Sequence, residues 1–360
     1  MEKMKIVDTH AHYDDEAFDP DRDALLGMIL PAAGVDRIIN VGADMAGAEA
    51  SARLSERYDF VYAGCGIHPD ETGVLEHAGN PAARPAEDPR GDARRAAEAS
   101  FSSPMEALRH LEELVRRPKT VAVGEIGLDY HWMVEPKDVQ IRWFSAQLLL
   151  ARMTGLPVNI HSRNAAQDTF DVICDAVNGI YHMPESVRDW WSGLTAGGDE
   201  ACGKPEERCR ICGKAADRPD GRMHRTEGEK AGVPEKDADL TGETVTVRGP
   251  KFSQGGIIHC YSGSREMARE YVKMGFRIGI GGVVTFKNSK TLRRTVEDTA
   301  IEHLVTETDC PYMTPEPNRG RRNDSSNIRF VIEEIAKLKD LDAEECAKSL
   351  RQNAYRLFGL

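Results

Sequence analysis

The sequence predicts an α/β fold, specifically a (β/α)8 TIM barrel with two polar loop insertions, from three observations. Short apolar runs alternate with amphipathic helical patterns along the whole chain. The runs are almost continuously apolar, as expected for parallel strands that are buried on both faces. Setting aside two polar segments of 25 and 55 residues leaves 280 of the 360 residues, close to the ~250 of a plain barrel.

Eight strands and their connecting helices are predicted in alternation. The predicted strands are Lys5–Asp8, Arg37–Val41, Phe60–Gly64, Thr120–Gly124, Pro157–Ile160, Gly256–His259, Arg277–Ile280 and His303–Thr306. The predicted helices include Met105–Val115, Asp138–Met153, Gln167–Val177, Ser264–Lys273, Leu292–Glu297, Ser326–Lys339 and Ala343–Arg356. Helical crossovers between successive strands are typical of parallel sheets, so residues 1–360 are interpreted as one barrel domain.

Two segments interrupt this alternation. Gly79–Ser103 is rich in Pro, Ala, Arg and Glu, and Ala196–Pro250 contains 22 charged residues among its 55. Such segments bury too little apolar surface to offset the entropy of ordering the chain, so both are interpreted as solvent-facing loop insertions. The second contains Cys202, Cys209, Cys212 and His224, a set sufficient for an additional structural Zn site of the Cys3His type. Unliganded cysteines in a loop are the alternative, and the spacing does not decide between them.

Charge and hydropathy exclude several functional classes. The net charge of -12 excludes a protein that binds nucleic acid through overall positive charge, but not an enzyme that uses local arginines and metal ions. No run approaches ~18 consecutive apolar residues, so no membrane association is expected. Residues 1–10 lack the apolar core of a signal peptide, and eight cysteines are too few for a disulfide scaffold. A cytoplasmic location is therefore predicted.

Histidines and carboxylates follow the predicted strands at the end where barrel enzymes place their active sites. On a strand, residues i and i+2 point to the same face, so His10 and His12 are positioned to reach one metal ion. The other candidates at strand ends are Glu125, His161, His259 and Asp309. Together the six side chains supply ligands for two divalent ions, and Glu125 is suited to bridge them because one carboxylate offers two oxygens. Two ions ~3.5–4 Å apart activate a water and stabilise the leaving oxygen of a phosphodiester.

The motifs around these residues resemble those of the TatD family of metal-dependent deoxyribonucleases, within the amidohydrolase-like barrels. The similar motifs are Asp8–His12, Gly66–Pro69, Gly124–His131, His161–Arg163, His259–Gly263, Ile280–Gly282 with Thr285-Phe286, Glu307–Tyr312, and Asn353-Ala354 with Leu357-Phe358. The resemblance implies a cytoplasmic hydrolase of DNA, acting on single strands or ends, with two divalent ions (Mg, Mn or Zn) as cofactors.

The resemblance also implies roles for individual residues. His10, His12, Glu125 and Asp309 would hold one ion, and Glu125, His161 and His259 the other. Asp309 and Glu125 would be catalytic, with Asp309 as the proton acceptor for the attacking water. His68 corresponds to a position near the substrate; fixing the loop at Pro69 is its alternative role.

Arg163 and Arg319 are further predicted substrate contacts, because a guanidinium suits phosphate. The chain departs from the family after Arg319-Gly320, where the family has Asn-Glu-Pro and this chain has Arg321-Arg322-Asn323. The departure leaves the predicted metal ligands intact, and a solvated basic loop is the alternative reading of these arginines.

Two alternatives to a deoxyribonuclease remain open at the level of the sequence. The first is a metal-dependent esterase or amidase, such as an aminoacyl-tRNA deacylase. The second is a non-catalytic zinc-binding scaffold built on the cysteine-containing insertion. The complete set of six ligands argues against the second, since a disused site is expected to lose some of them. Oligomeric state is not encoded in any of these patterns.

Overall fold

The computed structural model describes residues 4–80, 100–188, 190 and 244–360, and it confirms the predicted barrel. Eight parallel strands form one sheet, in which they neighbour one another in the order given next. The strands are β1 Ile6–Ala11, β2 Val35–Val41, β3 Val61–Cys65, β4 Thr120–Asp129, β5 Val158–Arg163, β8 Gly256–Ile258, β9 Phe276–Ile280 and β10 Leu304–Thr306. Strands β8 and β10 are three residues long and form fewer backbone hydrogen bonds than the longer strands, so side-chain hydrogen bonds also help to close the barrel.

The barrel closes between its first and last strands. Ala11 forms a parallel bridge with Cys310. Two threonines add hydrogen bonds: Thr9 Oγ1 donates to the Thr306 carbonyl at 3.0 Å, and Thr306 Oγ1 donates to the Val7 carbonyl at 3.1 Å. The loop after β10, which carries Asp309, is therefore held against the end of β1.

Helices lie between most of the barrel strands. The longer helices are Met45–Arg57, Pro104–Val115, Lys137–Thr154, Ala166–Val177, Arg265–Lys273, Lys290–Asp298, Ile328–Lys339 and Ala343–Phe358. Shorter helical turns cover Arg22–Ala24, Leu25–Ile29, Leu30–Ala33 and Gly73–Glu76. Side chains that cap the first turn fix several of the starts, as in Ser103, whose hydroxyl accepts from the Glu106 N–H, and Asp342, whose carboxylate accepts from the Glu344 and Glu345 N–H groups.

The core lies on both faces of the sheet, as the apolar strand patterns predict. All ten residues of β4 are buried. Strand side chains on one side meet the apolar faces of helices, such as Leu108 and Leu111 of Pro104–Val115. None of the helices in the described ranges is long and apolar enough to cross a membrane.

The structure corrects two details of the sequence-based interpretation, namely where three strands end and how one insertion is built. Strands β1 and β5 continue to Ala11 and Arg163, beyond the predicted ends at Asp8 and Ile160. Strand β4 continues to Asp129 instead of ending at Gly124, because its last residues pair with β5 up to Asp129 and Arg163. Second, part of the predicted loop insertion 196–250 is regular structure. Thr244–Arg248 (β7) pairs antiparallel with Ile180–Pro184 (β6), and Val247 is buried in the main core.

The physical reason for the second correction is that β7 alternates: its one buried side chain is apolar while its neighbours stay accessible. A short alternating strand is difficult to recognise within a polar segment, because its buried face is defined only by pairing with β6. Cys202, Cys209, Cys212 and His224, the predicted zinc ligands, lie outside the described residues, as do most of both predicted insertions.

Candidate metal centre

Two strands shift register at candidate ligands, in the way that a β-bulge produces. The register between β1 and β2 shifts between Asp8 and Ala11, which frames His10, and the register between β4 and β5 shifts between Val123 and Ile126, which frames Glu125. A bulge inserts an extra residue in one strand and re-aims the local side chains, and bulges are common next to active sites. Glu125 therefore reaches the centre from inside β4, whereas the sequence had placed it at the end of that strand.

The structure brings four of the predicted ligand atoms into a first group. His10 Nε2 lies 3.0 Å from His12 Nε2 and 3.4 Å from Glu125 Oε2. Asp309 Oδ1 lies 3.4 Å from His12 Nε2 and 3.9 Å from His10 Nε2. Bonds of ~2.0–2.2 Å place tetrahedral ligands about 3.4 Å apart, so this spacing suits one ion at His10, His12 and Asp309, with Glu125 Oε2 beside it.

The other predicted ligands form a second group on the opposite oxygen of Glu125. Glu125 Oε1 lies 2.9 Å from His161 Nδ1 and 2.9 Å from His259 Nε2, and the two nitrogens are 3.4 Å apart. Three protein atoms leave coordination positions for water or substrate, as in catalytic metal sites. The donor set suits a divalent ion, and the ligand roles of all six side chains stay predictions.

Hydrogen bonds at the far ring nitrogens orient three of the four histidines. The Nδ1–H of His10 donates to Asn159 Oδ1 at 3.0 Å, and the Nδ1–H of His12 donates to the Val41 carbonyl at 2.7 Å. His161 is reversed: its Nε2–H donates to Asp129 Oδ2 at 3.1 Å, so Nδ1 faces Glu125. Each bond fixes the ring and leaves the lone pair of the clustered nitrogen for a cation.

The carboxylates and histidines of the centre shift one another's pKa values. Burial by itself raises the pKa of Glu125, but the surrounding histidines, His259 and His10 foremost, hold it well below its usual value. Burial lowers the pKa of His12, yet the hydrogen bond and charge of Asp309 and the charge of Glu125 outweigh it and raise this pKa to about 10. A histidine must be neutral to ligate, so a cation bound here would displace a proton, and metal affinity is expected to fall as the pH falls.

His68 lies beside the second group without being part of it. Its Nδ1 accepts from the Asp70 N–H at 3.1 Å, which leaves the proton on Nε2, 3.9 Å from Glu125 Oε1. Burial and then the neighbouring His161 lower the pKa of His68 to about 3, so the ring is a neutral hydrogen-bond donor. This geometry is compatible with both roles expected for His68, since Nδ1 fixes the loop while Nε2 faces the centre.

The two predicted substrate-binding arginines lie in different surroundings. A cavity of about 930 Å³ opens over the centre, and Arg163 is among the residues that line it. Arg319 is absent from that lining; its guanidinium lies over the Phe286 ring, 4.1 Å from the centroid. Arg322, in the neighbouring basic loop, forms a two-pronged ion pair with Asp21 at 2.8 and 2.6 Å. Both arginine roles stay predictions.

Sequence reasoning missed the residues that support the ligands. Asp8 is fully buried and accepts from the His10 N–H and from the N–H and hydroxyl of Thr308, which ties β1 to the loop of Asp309. Asn159 and Asp129 orient His10 and His161. One signal was available: Asn159 precedes His161 by two residues on a strand, so both side chains point into the barrel.

Asp129→Asn is expected to weaken binding at the second group about 10- to 100-fold, the usual effect of losing a partner behind a metal-bound histidine. The variant removes the charge that the His161 Nε2–H faces while keeping the side-chain size. Calorimetric titration with Zn or Mn ions gives the affinity. Asp168→Asn is the matched control, because within the described ranges that carboxylate accepts one hydrogen bond, from the Tyr130 hydroxyl at 2.8 Å. Equal affinities in the two variants would contradict the orienting role.

Comparison with known proteins shows the family of this chain. The family model for TatD related DNase matches residues 7–199 and 237–359, so the gap between its two segments falls inside the predicted insertion 196–250. The uncharacterized metal-dependent hydrolase YabD of Bacillus subtilis is 31% identical over 354 residues, covering 98% of both chains. The uncharacterized metal-dependent hydrolase TatD of Mycobacterium tuberculosis is 28% identical over 362 residues, covering 99% of this chain and 98% of its own.

Solved structures show the same fold. The crystal structure of YjjV, a TatD homologue from Escherichia coli, matches with a TM-score of 0.64 at 23% identity over 99% of both chains. An uncharacterized amidohydrolase from Saccharomyces cerevisiae matches with a TM-score of 0.66 at 16% identity, covering 99% of this chain and 100% of its own. At these identities the likeness shows the barrel alone.

Proposed function

The chain belongs to the TatD-related DNase family of metal-dependent hydrolases, and from this premise we propose that it hydrolyses phosphodiester bonds in DNA with two divalent ions. The observation that carries the proposal is the orientation of Glu125. Its Oε2 faces the group of His10, His12 and Asp309, while its Oε1 faces His161 and His259. With this carboxylate shared, the six side chains would hold two ions, and such a pair would supply the chemistry of two-metal hydrolases.

The ions, when bound, supply Lewis acidity that activates water and offsets the charge that develops on the phosphate. The protein residues then move protons and position the substrate. Asp309 lines the cavity, and although burial raises the pKa of its carboxyl group, the hydrogen bond to His12 and the charge of His259 lower it below the usual value. An ionised carboxylate at this place is the proton acceptor for the attacking water. The His68 Nε2–H is a donor for a phosphate oxygen.

The size and charge of the cavity favour an unpaired strand or a chain end as the substrate. Its volume of about 930 Å³ is that of a small-molecule site, ~300–1,000 Å³, and does not suit a duplex lying across it. The lining also includes Asp14, Asp15 and Glu71, so a long row of phosphates finds little positive charge apart from the proposed ions and Arg163. Binding a single scissile phosphate is compatible with this surface.

The test is a parallel assay of the purified protein reconstituted with Mg, Mn or Zn. End-labelled single-stranded DNA and an aminoacyl ester are offered separately, with Asp309→Asn as the matched inactive control. We expect ion-dependent cleavage of the DNA, removed by a chelator and by Asp309→Asn. Cleavage of the ester alone would overturn the proposal in favour of an esterase or deacylase. Absence of both reactions from fully metallated protein would also overturn it.

A further inference from the structure

A largely exposed tryptophan stands at the rim of the cavity, outside both ligand groups. Trp132 is 63% exposed, whereas Trp143 and Trp190 are buried. It lines the same cavity as the ligands His161 and His259. Exposed apolar side chains are ordinary when scattered singly over a surface. An exposed indole beside a cluster of candidate metal ligands is a different situation, because it can contact a substrate bound at that cluster.

The backbone of Trp132 is fixed relative to the second ligand group. The N–H groups of His131 and Trp132 donate to Asp129 Oδ1 at 2.7 and 3.1 Å. The other oxygen of the same carboxylate accepts from His161 Nε2 at 3.1 Å. One side chain therefore sets both the ring of a ligand and the start of the loop that presents the indole. A base stacked on this indole would therefore be held at a fixed position relative to the scissile bond.

One face of the indole carries a cation. The Arg163 guanidinium carbon lies 5.5 Å from the centroid of the Trp132 ring, within cation–π range. Arg163 follows His161 by two residues on β5 and pairs in register with Asp129. Within the described part of the chain, its side chain has no ion pair to a carboxylate. The guanidinium is thus available for an anion. The His131 ring meets the Trp132 ring edge-on, with the centroids 4.7 Å apart, yet Trp132 stays largely exposed, so indole surface remains for a planar group.

We propose that Trp132 and Arg163 together bind the nucleotide next to the bond that is cleaved, with its base stacked on the indole and its outer phosphate on the guanidinium. The inference rests on the proposed DNA hydrolysis and names residues that would decide which nucleotide units the site accepts. Base–aromatic stacking is tolerant of sequence because every base has a π face. Trp132 would therefore read the presence of a base and not its identity.

The charges around the cavity explain why stacking is needed. Among the described residues that line it, Arg163 is the one arginine, there is no lysine, and Asp14, Asp15, Asp70 and Glu71 are acidic. Proteins that follow a single strand by electrostatics use a positively charged groove. Such a groove is absent from this part of the structure. Affinity for the rest of the nucleotide must then come from an apolar planar contact, which Trp132 offers.

The experiment uses single-stranded tetranucleotides in which each position in turn carries an abasic analogue. In the parent enzyme we expect one abasic position to raise KM about 10-fold with little change in kcat, the usual scale of one base–aromatic stack. In Trp132→Ala the intact and abasic substrates should have equal KM values, both near the higher one. Trp132→Phe should retain most of the discrimination. Met28→Ala, which removes another exposed apolar side chain away from the cavity, is the control and should match the parent.

A binding measurement independent of turnover uses the Asp309→Asn variant. Titration with an intact tetranucleotide should quench tryptophan fluorescence, and the quenching should disappear in the Asp309→Asn, Trp132→Phe double variant. Arg163→Met should raise KM for the intact strand but not for one whose outer phosphate is a neutral methylphosphonate. Parent enzyme that cleaves DNA with the same abasic pattern before and after Trp132→Ala would overturn this inference alone. Metallated parent enzyme that cleaves no DNA would overturn it together with the proposed function.

Discussion

Glu125→Ala is expected to lower hydrolysis by well over 100-fold and to leave the protein with fewer bound ions. Removal of a partner behind a metal-bound histidine already costs ~10–100-fold, and Glu125 would contact both ions directly. Its two oxygens lie 2.9 Å from His161 Nδ1 and 3.4 Å from His10 Nε2, so the substitution deprives both groups of their shared anion. Steady-state assays and elemental analysis of the same samples measure the two effects.

Glu125→Gln and Glu266→Ala are the companion variants. Glutamine preserves the volume of the side chain in a buried position, which separates loss of the carboxylate from loss of packing. Glu266 is an exposed glutamate paired with Arg265 at 2.9 Å, so its removal should change neither ion content nor rate. A Glu125→Ala protein that keeps two ions per chain and normal turnover would refute the bridging role.

Asp309→Asn should yield folded, metal-bearing protein whose kcat is about 10²- to 10⁴-fold below that of the parent, the usual contribution of a general base. Asparagine keeps the size and one oxygen ligand of Asp309 but does not accept the proton. It also suits the backbone: Asp309 has a φ of 56°, and asparagine is among the residues that most readily adopt this left-handed conformation. Circular dichroism, ion content and kcat are the three measurements.

The same substitution at Asp340 controls for backbone effects. Asp340 has a φ of 54° at the end of helix Ile328–Lys339, so Asp340→Asn makes the same chemical change at a similar backbone angle. It should leave kcat unchanged. An Asp309→Asn enzyme with a kcat within a few-fold of the parent would show that another group accepts the proton.

The barrel was predictable because its strands carry a local signal. Nearly continuous apolar runs such as the one within Thr120–Gly124 are buried on both faces, and the alternation with helices restricts the topology. The antiparallel pair of β6 and β7 was not predicted, because its two strands are separated in sequence by a long polar stretch. The end of β4 was misplaced because strand length there depends on pairing with β5, which the residues of β4 do not encode by themselves.

The sequence by itself determined which side chains are available at the mouth of the barrel: four histidines and two carboxylates, each close to the end of an apolar run. Only the tertiary structure decided how they divide into two groups, because that depends on the bulges at His10 and Glu125 and on distances of a few ångströms between strands. It also decided which ring nitrogen faces the centre, through Asn159, Val41 and Asp129. Local sequence patterns determine which side chains are present and which are buried. The register between strands that are far apart in sequence determines where those side chains point and how far apart their ligand atoms lie.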